Sequence, residues 1–307
     1  MKAAVALLFV ACAAAAAQAP PEKIARPGDY VFTLDHDGLE RRYKVHVPPQ
    51  YDPARPTPLV ISLHGGGGSM EYQASDENYG QISKADHEGF VVVFPNGYSR
   101  FPGGKFATWN AGRCCGPARD RNVDDVGFLR KLVERLGVQL NVDRKRVFAT
   151  GMSNGAMMAH RLACEAPDLV AAIAPVAGTD NTETCNPARP VPVLEFHARN
   201  DENLPFEGGR GKKSRAGAVT DFTSVPETVS RWVRRNGCEA KPRRVLDRPG
   251  AWCERYSGCR DPRAEVELCV TETGAHSWPG AKRTRGDEPA STAISANDLM
   301  WDFFVSR

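Results

Sequence analysis

The sequence predicts an α/β fold, a mostly parallel central sheet flanked by helices, from three observations. Short apolar runs alternate with helical patterns along its 307 residues. The runs at 58–63, 90–94, 170–176 and 191–196 carry apolar residues at successive positions, as strands buried on both faces do. Third, Val147-Phe148-Ala149-Thr150 reads as a strand leading into Gly151-Met152-Ser153-Asn154-Gly155, which opens a helix rich in small residues.

Taken in order, the chain begins with Lys2, an apolar run at 3–10 and an alanine tract ending at Pro20. That run is too short to span a bilayer, and the pattern predicts a signal peptide over 1–19 and an exported protein, secreted or periplasmic. Cys12 loosely matches a lipid-anchoring site and is the alternative. Residues 20–307 are expected to form one catalytic domain. Tyr30, Phe32, Leu34, Tyr43 and Val45 alternate as two strands joined near Asp37-Gly38. Strand 58–63 ends at the glycine run 65–68, a helix spans 79–88 and a strand 90–94. Residues 95–123 show no period, and a loop of that length is functional or tied down; Cys114-Cys115 supplies a tie.

A helix follows over 124–136 with Val126, Leu129, Val133 and Leu136 on one face, and Asp124 and Asp125 are read as caps at its positive end. Ser224-x-x-Glu227 is a capping box before a helix that turns Val225, Val229, Trp232 and Val233 inward and stops at Asn236-Gly237. Ser295-x-x-Asp298 opens a last helix carrying Leu299, Trp301 and Phe304, and 210–215 is expected to be a solvated loop.

Forty basic and 37 acidic residues leave a net charge of +3, with no basic run interleaved with aromatics. Nothing there points to nucleic acid, to a charged membrane surface or to stable membrane insertion. Apart from Cys12 there are eight cysteines: Cys114, Cys115, Cys164, Cys185, Cys238, Cys253, Cys259 and Cys269. An even number in an exported chain implies up to four disulfides, among about 105 pairings. Neither a C-x-x-C pair nor histidines at ligand spacing are present, so no metal is expected.

The corner at Gly151–Gly155 matches G-x-S-x-G, a turn that pushes a serine clear of the backbone. A serine nucleophile needs a base, an acid to orient that base and donors for the oxyanion. In the α/β-hydrolase chain order, acid and then histidine follow the serine. His36, His46, His64 and His87 lie upstream, His160 falls within the helix after the serine, and His197 precedes most of the candidate acids. His276 remains, in a glycine-flanked loop after the apolar run 266–270. Asp201, just past the strand at 191–196, is the favoured acid, with Glu202, Glu207 and Asp221 as competitors. The backbone N–H groups of Asn154 and Gly66 are expected to bind the oxyanion. No Gly-Lys-Ser/Thr follows the glycine run, which argues against a phosphate loop.

With LHGGGGS (63–69), WNAGRCCG (109–116), VDDVGF (123–128), GMSNGAMM (151–158), FTSVPETV (222–229), RRNGC (234–238), YSGC (256–259) and HSWPG (276–280), nearly the whole mature chain resembles a known family. It is that of secreted polyhydroxybutyrate depolymerases and feruloyl esterases, α/β-hydrolases grouped with carbohydrate esterase family 1. The resemblance implies that fold, a Ser153-Asp201-His276 esterase without cofactor, and Trp278 as a substrate-binding wall or as packing for the histidine loop. It also implies a Cys238–Cys259 bond. Cys253 and Cys269 are additions to the family pattern that flank one hairpin and suggest a mutual bond, leaving Cys114, Cys115, Cys164 and Cys185 to form two bonds in an open pattern. Around the acid the family usually has His-Gly-Thr-x-Asp, whereas this chain has His197-Ala198-Arg199-Asn200-Asp201, so a differently shaped loop is expected.

The expected function is a carboxylesterase acting on feruloyl esters of plant polysaccharide or on hydroxyalkanoate polyester. Acetylxylan or generalist esterase activity and peptidase activity are alternatives within hydrolases. A non-catalytic polysaccharide- or polyester-binding protein is the alternative from another class.

Overall fold

The computed structural model describes residues 22–211, 221–282 and 288–307. The expected leader at 1–19, Cys12 included, lies outside the described residues, as does most of the basic stretch 210–215. The chain runs through β1 (Gly28–His36), β2 (Leu39–Val47), β3 (Thr57–Leu63), α1 (Met70–Gln73), α2 (Asp76–Tyr79), α3 (Gln81–Glu88), β4 (Val91–Pro95), α4 (Gly116–Asp120) and α5 (Asp125–Gln139). It continues with β5 (Val142–Met152), α6 (Asn154–Glu165), β6 (Ala172–Val176), β7 (Val193–Ala198), β8 (Gly209–Arg210), β9 (Asp221–Phe222) and α7 (Val225–Asn236). The last elements are β10 (Arg243–Arg248), β11 (Ala251–Tyr256), β12 (Val266–Thr271) and α8 (Ala296–Val305).

Ten strands form one sheet in the order β1-β2-β4-β3-β5-β6-β7-β12-β11-β10. Its six central strands, β4 to β12 in that order, are parallel, and antiparallel hairpins close both edges. The apolar runs become the parallel strands because a strand covered on both faces has no polar side to offer; β3, β4, β6 and β7 are buried at every residue. On one face α5, α6 and α7 pack through Leu129, Leu132, Met158, Leu162 and Trp232. On the other, α8 lays Trp301 on Phe90 and Phe304 on Phe148, with ring centroids 4.5 Å and 4.4 Å apart. Each fully buried aromatic of this kind contributes about 3 kcal/mol.

Local signals set the ends of the elements. The Ser224 hydroxyl accepts the Glu227 N–H at the start of α7, and Gly237 closes that helix in the left-handed region. Ser295 caps α8 in the same way. The expected helix 79–88 begins instead at Gln81, because Gly80 turns left-handed at φ +62° and separates α2 from α3. Residues 95–123 are less irregular than expected, with a 3-10 turn at Pro102–Gly104 and the short α4. β10 had no clear signal, since Arg243–Arg248 is an edge strand with little buried surface.

Among the described residues four disulfides are present: Cys114–Cys115, Cys164–Cys185, Cys238–Cys259 and Cys253–Cys269. The last two are the pairs expected, and Cys253 and Cys269 face each other across β11 and β12. Among the described residues no helix is long and apolar enough to cross a membrane.

Candidate active site

Parallel pairing gathers the predicted residues at the carboxyl edge of the sheet. Leu63 of β3 and Gly151 of β5 share a rung, so the glycine run and Ser153 leave the sheet side by side. Ala198 of β7 and Thr271 of β12 share another, which starts the loops of Asp201 and His276 from neighbouring points.

Ser153 sits at φ +58°, ψ −117°, an uncommon conformation for a residue with a side chain. The corner is held by the Ser153 N–H donating to the Val176 carbonyl at 2.9 Å. Glycine is required at Gly155, where a Cβ would stand 2.1 Å from the Leu63 carbonyl oxygen, so α6 can start directly against β3. A Cβ at Gly66 would lie 3.6 Å from that of Asn154, which puts the two expected oxyanion donors next to each other. Asn154 is the first residue of α6, where a backbone N–H has no partner within its own helix.

The His276 Nδ1 donates to Asp201 Oδ2 at 2.7 Å. The Asp201 side chain is fully buried, and its Oδ1 accepts the N–H groups of Asn203 and Leu204 at 2.8 and 2.9 Å. Burial alone would push this carboxyl up, but the charges of His276 and His197 and those hydrogen bonds outweigh it and hold the group below the ordinary carboxylate value. In the acid loop, where Ala198 and Arg199 depart from the family pattern, Asn200 at its variable position accepts the Ala275 N–H at 2.9 Å and so ties the acid loop to the histidine loop. Of the competing acids, Glu207 lies 3.6 Å from Arg199 and Asp221 is exposed in the short strand β9, while Asp201 contacts His276.

Ser153 and His276 line one cavity of about 120 Å³ with Gly65, Gly66, Tyr72, Asn78, Tyr79, Met152, Ser277 and Trp278. Trp278 is both wall and packing. It meets Tyr79 edge-on, centroids 5.3 Å apart, and its indole N–H donates to Asn297 Oδ1 at 3.2 Å. Asn297, on α8, also donates to the Tyr79 carbonyl at 2.7 Å, so one amide joins two walls of the cleft.

Several supporting side-chain contacts were not identified from sequence. Asn154 brackets the Trp109 backbone, accepting its N–H at 2.7 Å and donating to its carbonyl at 3.0 Å, while Trp109 Nε1 donates to the His64 carbonyl. His64 Nε2 accepts the Gly97 N–H, so the ring proton is on Nδ1, which donates to the Gly65 carbonyl and shapes the glycine loop. Asp124 caps α5 as expected, through the Gly127 N–H. Asp125 is a correction: it is fully buried, 2.6 Å from Arg41, and accepts the Asn110 N–H, because its carboxyl turns inward to Arg41 and the long segment instead of to the end of the helix. A tryptophan and an asparagine in an otherwise aperiodic loop were the available signal.

Residues 41–204 match the sequence model of the family described as Esterase PHB depolymerase. The chain belongs to that family of carboxylic ester hydrolases. Within the Esterase PHB depolymerase family the chain is similar to Feruloyl esterase B of Piromyces equi, with 31% identity over 243 residues. That match covers 77% of this chain and 42% of the relative, so it spans less than half of that longer protein. Similarity to Feruloyl esterase C of Emericella nidulans is 27% over 275 residues, covering 87% and 84% of the two chains. Among solved structures, the acetyl xylan esterase from Aspergillus awamori superposes with a TM-score of 0.60 at 14% identity, covering 91% of this chain and all of that one. At that identity the likeness concerns the fold alone, an α/β-hydrolase.

Proposed function

We propose that this Esterase PHB depolymerase family member is an exported serine carboxylesterase whose substrates are hydroxycinnamoyl esters of the feruloyl type. The observation that carries the reading is the shared cavity, which a strained serine and an Asp201-bound histidine both line. His276 takes the proton of Ser153 as the hydroxyl attacks the ester carbonyl. The Asn154 and Gly66 amides receive the oxyanion, His276 passes the proton to the departing alcohol, and water releases the acid by the same steps. Asp201 keeps the imidazole in the right tautomer and stabilises its cation.

The substrate class is supported by the aromatic lining of Tyr72, Tyr79 and Trp278, which suits a flat aryl acid, and by the printed names of the relatives. The family description keeps a hydroxyalkanoate oligomer as the second candidate. Four disulfides support an oxidising compartment, and hence export.

The test compares rates on methyl ferulate, acetylated xylan and a hydroxybutyrate oligomer, with Ser153→Ala as control. A preference of about a hundredfold for the ferulate, roughly 2.7 kcal/mol, supports the aryl reading; preference for another substrate replaces it. Ser153→Ala should lose activity by about 10⁴-fold or more with an unchanged circular dichroism spectrum, and substantial residual turnover would remove the triad.

A further inference from the structure

Behind Asp201 a line of buried polar groups continues away from the cleft. β7 carries Glu195 and His197 two residues apart, hence on the same face of the strand. Both side chains are essentially inaccessible to solvent. His197 Nε2 lies 3.6 Å from Asp201 Oδ2, the same oxygen that receives His276. His197 Nδ1 lies 3.6 Å from Glu195 Oε1, and neither of those two atoms has a hydrogen-bond partner closer than the other. The second oxygen, Glu195 Oε2, is 3.1 Å from His160 Nε2 on α6, and Trp232 Nε1 on α7 reaches His160 Nδ1 at 3.0 Å.

Donor chemistry fixes most of the protons along this line. An indole N–H only donates, so His160 Nδ1 is bare and its Nε2 proton points at Glu195. A carbonyl only accepts, so the 2.9 Å contact from His197 Nε2 to the Leu204 carbonyl puts a proton on that nitrogen. One position is then left undetermined, between His197 Nδ1 and Glu195 Oε1. Asp180, in the loop after β6, does not occupy it, since it is paired with Arg235 of α7 at 2.6 Å, and the Phe206 ring meets His197 edge-on with centroids 6.1 Å apart.

We propose that Glu195 and His197 are positioning residues that hold one proton at this point, so that His197 is an imidazolium between the Glu195 and Asp201 carboxylates. Burial opposes charge on His197, but Glu195, Asp201 and the Leu204 carbonyl favour it more strongly. The consequence falls on the reaction. Asp201 Oδ2 faces two imidazoles, and a cation at His197 offsets part of the negative charge that would otherwise trap His276 in its protonated form. His276 therefore stays available as a base at lower pH than it would beside an uncompensated aspartate.

The inference rests on the triad reading, and Glu195→Gln tests it. The amide keeps an oxygen for the His160 N–H and turns an N–H toward His197 Nδ1, which requires that nitrogen to be bare. The acid limb of kcat/KM on an ester substrate is expected to move up by about one pH unit, while the plateau rate stays within a few-fold. A limb that stays in place or moves down would overturn the proposal, because a purely structural role changes stability and not the profile. The second measurement uses the unsubstituted protein, with ¹⁵N-labelled histidine. The ring that contacts Phe206 should show both nitrogens protonated at neutral pH; a neutral ring overturns the proposal even if E195Q does not fold. Failure of the triad reading looks different, since ester hydrolysis would then survive Ser153→Ala whatever the state of His197.

Discussion

In the proposed triad Asp201 carries two separable duties, and one substitution exposes both. Asp201→Asn keeps the size of the side chain but replaces an acceptor oxygen with an N–H or an equivalent rotamer that no longer selects the His276 tautomer, so kcat should fall by about 10⁴-fold. The stability effect has a definite sign. The carboxyl is held below its ordinary value in the folded chain, so it stabilises the fold above that ordinary value, near 3.8, and the contribution is lost as pH falls through the depressed folded value. Urea midpoints of the unsubstituted protein should therefore drop below about pH 4, and the asparagine variant should show a shallower drop over the same range. Equal slopes would mean that the aspartate is not held in its charged form by folding. At this scale the candidate site was legible: glycines around Ser153, the order of acid and histidine, and the position of each just past an apolar run all come from local sequence. Glu195, His160 and Trp232 were not, because their partners are 35 to 72 residues apart. A clue was nonetheless present, since a carboxylate and an imidazole in Val193-Leu194-Glu195-Phe196-His197-Ala198, a run expected to be buried, must be paired with something.

The elements fix the shape of the cleft more than the residues that line it. α8 was predicted from its cap and its aromatic residues, yet its bearing on the site was not, because the Asn297 contact to Tyr79 crosses 218 positions of sequence. Asn297→Ala removes the partner of the Trp278 indole N–H and of the Tyr79 carbonyl, at a cost of about 1–3 kcal/mol in unfolding free energy. The same change should raise KM for an aryl ester several-fold with kcat altered less than about twofold, because the wall loosens while the triad keeps its hydrogen bonds. A fall in kcat at constant KM would show instead that α8 positions the catalytic groups. Helix ends were the most readable features, at Ser224, Gly237 and Ser295, because capping is decided within one turn. The segment 95–123 was the least readable. Its order comes from Trp109 meeting Asn154, and from Asn110 meeting Arg161 and the Arg41-bound Asp125, contacts that leave no period in the sequence.

Across the whole molecule, the disulfides and the sheet divide the work. The Cys238–Cys259 bond joins the end of α7 to the loop after β11, on the side of the sheet remote from Ser153 in strand order. Replacing both cysteines with alanine should lower unfolding free energy by about 3 kcal/mol, the expectation for a loop of this length, and leave kcat/KM for an ester within about twofold. A large loss of activity with little loss of stability would reverse that division. The fold class was legible because six buried parallel strands leave a strong apolar signature, whereas the edge strand β10, half exposed and rich in arginine, leaves almost none. There is also a consequence for biosynthesis in the amide that bridges Tyr79 and Trp278. One wall of the cleft comes from Tyr72 and Tyr79, while His276 and the bridging asparagine lie far downstream, Asn297 being 218 positions beyond Tyr79. A ribosome makes the corner at Ser153 long before it makes His276 and α8, so the proposed active site is assembled only after α8 has followed the rest of the cleft out of the ribosome.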